Sequence, residues 1–118
     1  GECRGPEVRD VLTALNTGHD GGWATIHANG ARDVPARLAA LGALAGMGEE
    51  AVAAQTASAF DAVLHMRRSP CGHRFVSEVG VLTRARGPLE CAIALSVTAA
   101  GQVSTHEAWD SLARKVGL

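Results

Sequence analysis

The chain is poor in aromatic residues and has no long apolar run. Tyrosine is absent, and two Trp and two Phe make up the whole aromatic content of the 118 residues. The core must therefore be built from Ala, Val and Leu. No apolar run approaches the roughly 18 residues that a membrane-spanning helix needs. The net charge of −1 gives no electrostatic reason to expect nucleic acid or an acidic membrane surface as the main partner.

Cysteine is also scarce, with three residues at wide spacing, Cys3, Cys71 and Cys91. This odd number argues against a disulfide scaffold and predicts two reduced thiols in the core and one partly exposed thiol. A cytoplasmic setting fits that pattern. The possible zinc ligands are Cys3, His19, His27, Cys71 and His73. Because they lack the tight paired spacing of a structural zinc site, a zinc or thiol regulatory domain is only a third hypothesis.

The length fits one domain or part of one. The opening residues, GECRGPE, are polar and turn-like, with no helix or strand before them. This start predicts a fragment whose upstream half is missing. Neither an initiator Met nor a signal peptide is present, so the sequence carries no targeting information.

Three helices are predicted in the first half of the chain. EVRDVLTALN follows Gly5-Pro6 and places apolar residues at i, i+3, i+4 and i+7, which indicates one buried helical face. A second stripe runs from Val34 to Ala45 and ends at Gly46, with Pro35 near its start. The third helix runs from Glu49 to about Phe60, and its acidic first turn suits the helix dipole.

One short segment of the first half and most of the second half have a strand pattern. WATIHA, after Gly21-Gly22, predicts a short strand, and AVLHM, RFVSEVGVL and LECAIALSV predict three more, separated by turn residues. STHEAWDSLARKVGL predicts a C-terminal helix in which Ser104 and Glu107 have capping-box spacing. The predicted fold class is α/β with a late antiparallel strand element and a C-terminal helix.

Two sequence motifs carry a family resemblance. GECRGPE and the later TGHDGGWATIHAN resemble the Walker B and histidine-box segments of type II/IV secretion ATPases, above all the tight-adherence (Flp) pilus assembly ATPases. QTASAFDAVLHMRR, followed by CGHRFVSEV, is similar to a later family segment. The resemblance covers residues 1–82. It implies that residues 1–118 are the carboxy-terminal portion of a RecA-like P-loop NTPase domain, from Walker B onward, without its phosphate-binding loop and amino-terminal domain.

The resemblance also implies a catalytic site. Glu2 would orient the attacking water or hold a magnesium-bound water, and His19 and His27 would reach the terminal phosphate of ATP from a mobile loop and an adjoining strand. The residues expected to bind nucleotide or support the motifs are Arg4, Glu7, Gly18, Thr25 and Asn29. The implied cofactors are ATP and Mg²⁺, with Mg²⁺ reached through Glu2 and no direct metal ligand otherwise.

Several roles stay open. Arg4 has two possible roles, pairing with an acidic residue of the upstream half or lying at a subunit boundary, and Glu7 could serve only the helix dipole. Thr25 and Asn29 are expected to hold the histidine loop by side-chain hydrogen bonds. The strand-end charges Arg67 and Arg68 are either solvated or in contact with a neighbouring subunit. Three further charged residues look structural, namely Arg37, Asp61 and Glu78.

Two function classes therefore compete. In the first, the parent protein is an ATPase that drives secretion or pilus assembly, and the resemblance implies a homo-hexamer at the cytoplasmic face of the inner membrane with membrane platform proteins as partners. Nucleic acid is not expected as a partner. In the second, the chain is a non-catalytic structural or interaction module without a phosphate-binding loop, so the isolated fragment is expected to be inactive.

Overall fold

The computed structural model describes residues 3–5, 7–16 and 22–117, apart from the side chain of Leu15. The described chain combines helices with an antiparallel sheet. Its helical elements are α1 (Glu7–Asn16), a short 3₁₀ helix (Ala31–Asp33), α2 (Val34–Leu44), α3 (Glu49–Ala59) and α4 (Trp109–Lys115). Its strands are β1 (Val63–Arg68), β2 (Arg74–Thr83), β3 (Glu90–Val97) and β4 (Val103–Thr105). The three predicted helices of the first half and the three later strands are thereby confirmed.

Helices α1, α2 and α3 pack around one apolar cluster. Its most deeply buried members, with at most 1 % of their surface exposed, are Val8, Leu12, Leu41 and Val52. The periodicity of the sequence placed these residues on inner faces, since side chains three and four positions apart share one side of a helix. Gly42 lets α2 and α3 approach each other closely, because a Cβ at this position would overlap the side chain of Val52.

The turn between α2 and α3 follows from local sequence. Gly46 adopts a φ of 76°, a left-handed conformation that glycine takes readily, at the end of α2. Glu49 and Glu50 occupy the first turn of α3, where carboxylates interact favourably with the helix dipole. Pro35 lies in the first turn of α2, where its missing N–H costs no helical hydrogen bond.

The four strands form an antiparallel meander in the order β1-β2-β3-β4. Two bulges interrupt its register. His65 pairs with Glu78 whereas Met66 pairs with Val76, so that Ser77 is an extra residue in β2. Ala94 is the extra residue in β3. Each bulge changes which side chains face each side of the sheet, so β2 and β3 do not keep one unbroken alternation.

Both faces of the sheet are partly covered. On one face Leu82, Cys91 and Ile93 pack against Ala31 of the 3₁₀ helix. On the other face Val81 and Ala94 pack against Ala108, the N-cap of α4, and against Leu112 within that helix. Phe60 and Val63 contact both the helical cluster and the first of these sheet clusters, and they join the two parts of the core.

The prediction that the C-terminal helix begins at Ser104 is wrong. Ser104 lies in strand β4 opposite Ser96, and α4 begins only at Trp109, with no side-chain cap. The expected capping box between Ser104 and Glu107 is therefore absent. Backbone pairing prevails over helix capping because the N–H of His106 donates to the carbonyl of Ala94 (2.9 Å), which continues the β3–β4 ladder. Val116, at the C-cap of α4, is 61 % exposed.

The strand predicted for WATIHA is reduced to one bridging residue, Thr25, within an otherwise extended segment. Cys3 and Cys91 are buried and Cys71 is exposed, with no disulfide among the three, which confirms the predicted placement of the thiols. Within the described ranges, no helix is both long and apolar enough to cross a bilayer.

Candidate functional site

Three of the predicted site residues, Glu2, Gly18 and His19, lie outside the described residues. The described part of the candidate site consists of Arg4, Glu7, Thr25, His27 and Asn29. These five residues come from two separate segments, one that leads into α1 and includes its first residue, Glu7, and one between α1 and the 3₁₀ helix.

A backbone hydrogen bond brings the two segments together. The N–H of Cys3 donates to the carbonyl of Thr25 at 2.7 Å. The Cys3 side chain, 4 % exposed, is anchored in the helical cluster. Cys3 follows Glu2 in the sequence and Thr25 precedes His27 by two positions, so the fold places the two motif segments side by side.

The segment after α1 presents its polar residues on one side. From Trp23 to Asn29 every odd-numbered residue is exposed and every even-numbered residue is half-buried. The inward residues Ala24, Ile26 and Ala28 pack against the helical cluster. Because successive side chains of extended backbone point to opposite sides, the odd-numbered residues face outward together. That set contains the predicted site residues Thr25, His27 and Asn29.

Glu7 has a defined structural contact. Its carboxylate oxygen Oε1 accepts a hydrogen bond from the backbone N–H of Arg4 at 3.0 Å. The N–H of Val8 donates to the carbonyl of Gly5 at 3.0 Å. Glu7 therefore fixes the turn that leads from the first motif into α1, in the manner of a capping carboxylate.

Glu78 connects the second motif segment to the sheet. Its Oε1 accepts a hydrogen bond from the N–H of Ala31 at 3.1 Å, at the start of the 3₁₀ helix. A Cβ at Gly30 would lie 3.5 Å from the same oxygen, an ordinary van der Waals distance, so this contact does not require glycine there. Sequence reasoning classed Glu78 as structural but missed this partner. The signal was a carboxylate on the mixed face of an otherwise apolar strand.

The negative charge of Glu78 is also felt by a buried thiol. Burial raises the pKa of Cys91 to about 11, and the carboxylate of Glu78 adds to the rise while Arg32 opposes it. A nearby carboxylate disfavours the charged thiolate and a nearby guanidinium favours it, while burial disfavours it as well. The Cys91 side chain lies under the 3₁₀ helix, so this part of the fold is a packed support and not a reactive centre.

The arrangement supplies hydrogen-bond donors on an accessible surface. The Thr25 hydroxyl, the His27 imidazole and the Asn29 amide share the outward side of the extended segment. Such groups can donate to the oxygens of an anion. Among the residues that the structure describes, no three His, Cys, Asp or Glu side chains are close enough together to hold a metal ion. The predicted magnesium contact through Glu2 lies outside the described residues.

Comparison with known proteins gives the wider context. A family model described as type II/IV secretion system protein matches residues 1–114. The chain is 49 % identical over 90 residues to "Putative conjugal transfer protein MT3759" of Mycobacterium tuberculosis (strain CDC 1551 / Oshkosh) and, equally, to "Putative conjugal transfer protein Rv3659c" of strain H37Rv. The match covers 76 % of this chain and 26 % of each relative, so the chain spans about a quarter of their length. Because the family model covers nearly every residue, this chain belongs to the family of type II/IV secretion system proteins.

Proposed function

We propose that this chain is the carboxy-terminal portion of a secretion or pilus-assembly ATPase, whose parent protein hydrolyses ATP to drive transport. One observation carries the proposal: the 2.7 Å hydrogen bond from Cys3 to Thr25 joins the Walker B-like and histidine-box segments. Hydrolysis of a nucleotide requires a carboxylate and phosphate-binding donors near one another, and this contact holds their two segments at one place in the fold.

The described side chains fit an anionic nucleotide. Thr25, His27 and Asn29 are exposed on one side of their segment, and donors of this kind bind phosphoryl oxygens. ATP with Mg²⁺ would supply the phosphoryl group and neutralise its charge. In this proposal His27 donates a hydrogen bond to the terminal phosphate, together with His19. Glu2 orients the attacking water, and the hydrogen bond from Arg4 to Glu7 keeps the first segment in place.

The support beneath the histidine segment suits such a role. Its even-numbered residues are anchored in the helical cluster, and Glu78 holds the backbone just beyond Asn29. Groups that bind a transition state gain most when their positions are fixed before substrate arrives. The described supports are main-chain and Glu78 contacts, and the proposed side-chain support by Thr25 and Asn29 remains a prediction.

The transport role is proposed by family membership. The parent is proposed to work as a RecA-like homo-hexamer at the cytoplasmic face of the inner membrane, with platform proteins as partners. The two mycobacterial relatives are named for conjugal transfer, and a DNA-transfer motor is a variant of the same proposal. In each case, ATP hydrolysis would be converted into motion of one domain against another.

The test is ATP turnover by the natural full-length protein that contains this sequence. We expect Glu2→Gln to lower kcat about a hundredfold or more, the usual range for a positioned base, while a fluorescent ATP analogue still binds. His27→Ala should also lower kcat. The controls are Glu49→Gln and His73→Ala, which change exposed residues of α3 and of the β1–β2 turn.

The alternative is a non-catalytic structural or interaction module. It is favoured if the natural reading frame upstream of Gly1 encodes no G-x-x-x-x-G-K-[ST] loop, since that loop cradles the phosphates. ATP turnover that is unchanged in Glu2→Gln, or equal losses in His27→Ala and His73→Ala, would contradict the catalytic assignment.

A further inference from the structure

The hairpin formed by β1 and β2 concentrates positive charge. Residues 62–77 include Arg67, Arg68 and Arg74 and no Asp or Glu, although the whole chain has a net charge of −1. All three arginines are exposed. The ion pairs between described residues include Arg32, Arg84 and Arg86, but none involves the three hairpin arginines. Their charges are therefore not matched within the part of the chain that the structure describes.

The pairing of β1 with β2 places two of these arginines opposite each other. Arg68 lies directly opposite Arg74 in the antiparallel register. Like charges at directly opposed positions destabilise a strand pair. A sequence that stabilised only this hairpin would place a carboxylate at one of the two positions. Arg74 does not line the cavity beside this hairpin, so an anionic occupant of that cavity would relieve the repulsion only through Arg68.

A cavity adjoins these arginines. It has a volume of about 450 Å³ and lies between the β1–β2 turn and the turn that follows β3. We call it the arginine groove and define it by Arg67, Arg68, Ser69, Phe75, Glu78 and Thr98, which line it. The groove is thus lined by two arginine residues and by Phe75, which lies opposite Arg67 in the β1–β2 register.

Two residues that line the groove, Ser69 and Thr98, carry hydroxyl groups that can donate hydrogen bonds. Ser69 Oγ accepts a hydrogen bond from the N–H of His73 at 3.1 Å. Thr98 Oγ1 accepts one from the N–H of Gln102, also at 3.1 Å. A hydroxyl that already accepts retains its own hydrogen for donation. The groove thus presents hydroxyl and guanidinium donors to an occupant that is rich in acceptors.

We propose that the arginine groove binds an acidic, extended segment of a partner protein. Planar guanidinium groups match carboxylates in bidentate geometry, and Phe75 provides an apolar contact for the intervening side chains. Glu78 also lines the groove, and its negative charge opposes the dense charge of a polyphosphate or a nucleic-acid backbone more strongly than that of a peptide in which carboxylates alternate with apolar residues.

The proposal is independent of ATP hydrolysis. It rests on the hairpin and the groove, and it would hold for a non-catalytic module as well. An acidic peptide that binds normally to a protein without ATP turnover would contradict the proposed enzyme and leave this inference intact.

The first test is fluorescence anisotropy with the natural full-length protein and a labelled octapeptide of alternating Glu and Val. Arg67→Gln combined with Arg68→Gln should weaken binding about tenfold or more, because two charge-assisted hydrogen-bonding groups are lost. The matched control, Arg9→Gln with Arg114→Gln, removes the same charge from exposed residues of α1 and α4 and should leave binding unchanged. A thermal melt of each variant checks that the fold is retained.

A second variant separates a groove from diffuse attraction. Ala99→Trp fills the groove that Ala99 lines and keeps every charge, so it should abolish binding of the octapeptide. Its control is Ala100→Trp, at the next exposed residue of the same turn, which does not line the groove. Normal binding to Ala99→Trp would overturn the proposal. So would tighter binding to oligo-dT, inorganic triphosphate or phosphatidylglycerol vesicles than to the octapeptide, or equal losses in the two arginine pairs.

Discussion

The helical region comprises residues 22–33 and helices α1, α2 and α3. Its apolar residues recur every three or four positions along each helix and meet around Leu12 and Leu41. In the sheet region, β1–β4 with α4, residues far apart in sequence meet through backbone pairing, as Val63 does with Gly80. The first region carries the candidate site, whereas the second carries Glu78, which holds that site from beneath.

The two regions are joined by few polar contacts. Glu78 bonds to the backbone of Ala31, and Arg84 of the β2–β3 connection donates to both carboxylate oxygens of Glu50 at 2.7 Å. Phe60 and Val63 supply the apolar contact between them. The helices thus build a site segment locally, while the sheet determines where that segment lies.

The largest effect is expected in the helical core. Leu41→Ala should lower the free energy of unfolding by about 3 kcal/mol, because Leu41 is 1 % exposed and its removal leaves a cavity. Urea unfolding measures the change. The control in the same helix, Leu44→Ala, removes a side chain that is 68 % exposed and should change stability by about 0.5 kcal/mol or less. Similar losses in both variants would show that the stripe does not determine the stability of this region.

In the sheet region, Gly80→Ala should cost about 2 kcal/mol, the usual cost of overpacking. A Cβ at Gly80 would overlap Cys91 Sγ across the strand pair. Adding Cys91→Ala should recover part of the loss in urea unfolding. Gly48→Ala is the control, since no atom lies within 4 Å of a Cβ there. A double variant that is no more stable than Gly80→Ala alone would contradict the assigned clash.

The thiol under the 3₁₀ helix predicts a pH dependence. Burial raises the pKa of Cys91 from 9.0 to about 11. Below about pH 9 the thiol is protonated in both states, so its contribution to stability is complete. Between pH 9 and 11 the unfolded chain loses the proton first, and stability should fall by about 1–2 kcal/mol.

Urea unfolding across this pH range measures the fall. Cys91→Ala should remove this part of the pH dependence, whereas Cys71→Ala, at an exposed thiol, should retain it. The same pH profile for both cysteine variants would contradict the role of Cys91.

The contact between the regions should have a smaller effect. Glu78→Ala removes the acceptor of the Ala31 N–H, and we expect a loss of about 1 kcal/mol together with faster hydrogen exchange at that amide. Glu78→Gln keeps an acceptor oxygen and should lose less. NMR-detected exchange measures the amide directly. An Ala31 amide that exchanges equally slowly in Glu78→Ala would show that the sheet does not hold this segment.

The smallest effect is expected at Thr56 in α3. Its Oγ1 is buried and has no hydrogen-bond partner among the described residues, and such a group costs stability. Thr56→Val should therefore be neutral or stabilising by up to about 1 kcal/mol. Thermal unfolding compares it with Thr105→Val at an exposed position in β4. A clear loss in Thr56→Val alone would reveal a partner for the hydroxyl.

Much of the fold could be predicted from local patterns. The helical stripes indicated α1, α2 and α3, and the acidic first turn and Gly46 marked the limits of α2 and α3. The apolar runs likewise predicted β1, β2 and β3. Strand β4 was missed because VST has no strong pattern of its own. It is ordered by pairing with β3, and the capping signal of Ser104 could not reveal that partner.

The candidate site shows the same limit. Motif spacing singled out Thr25, His27 and Asn29, and the pattern of WATIHA predicted extended backbone around the first two of them. It could not show that Cys3 is hydrogen-bonded to Thr25 or that Glu78 bonds to Ala31 across 47 positions. These contacts depend on the path of the whole chain, which includes two bulges that shift the faces of β2 and β3.

The amino-acid sequence by itself determined which segments are helical, which residues point inward and which motif residues carry hydrogen-bonding groups. Those properties depend on interactions within a few residues of chain, where helical and extended periodicities act directly. Only the tertiary structure decided that the two motif segments adjoin, that a carboxylate of β2 supports the second of them, and that an arginine groove forms between two turns. Each of these features requires residues distant in sequence to meet, and that meeting is set by packing and strand register.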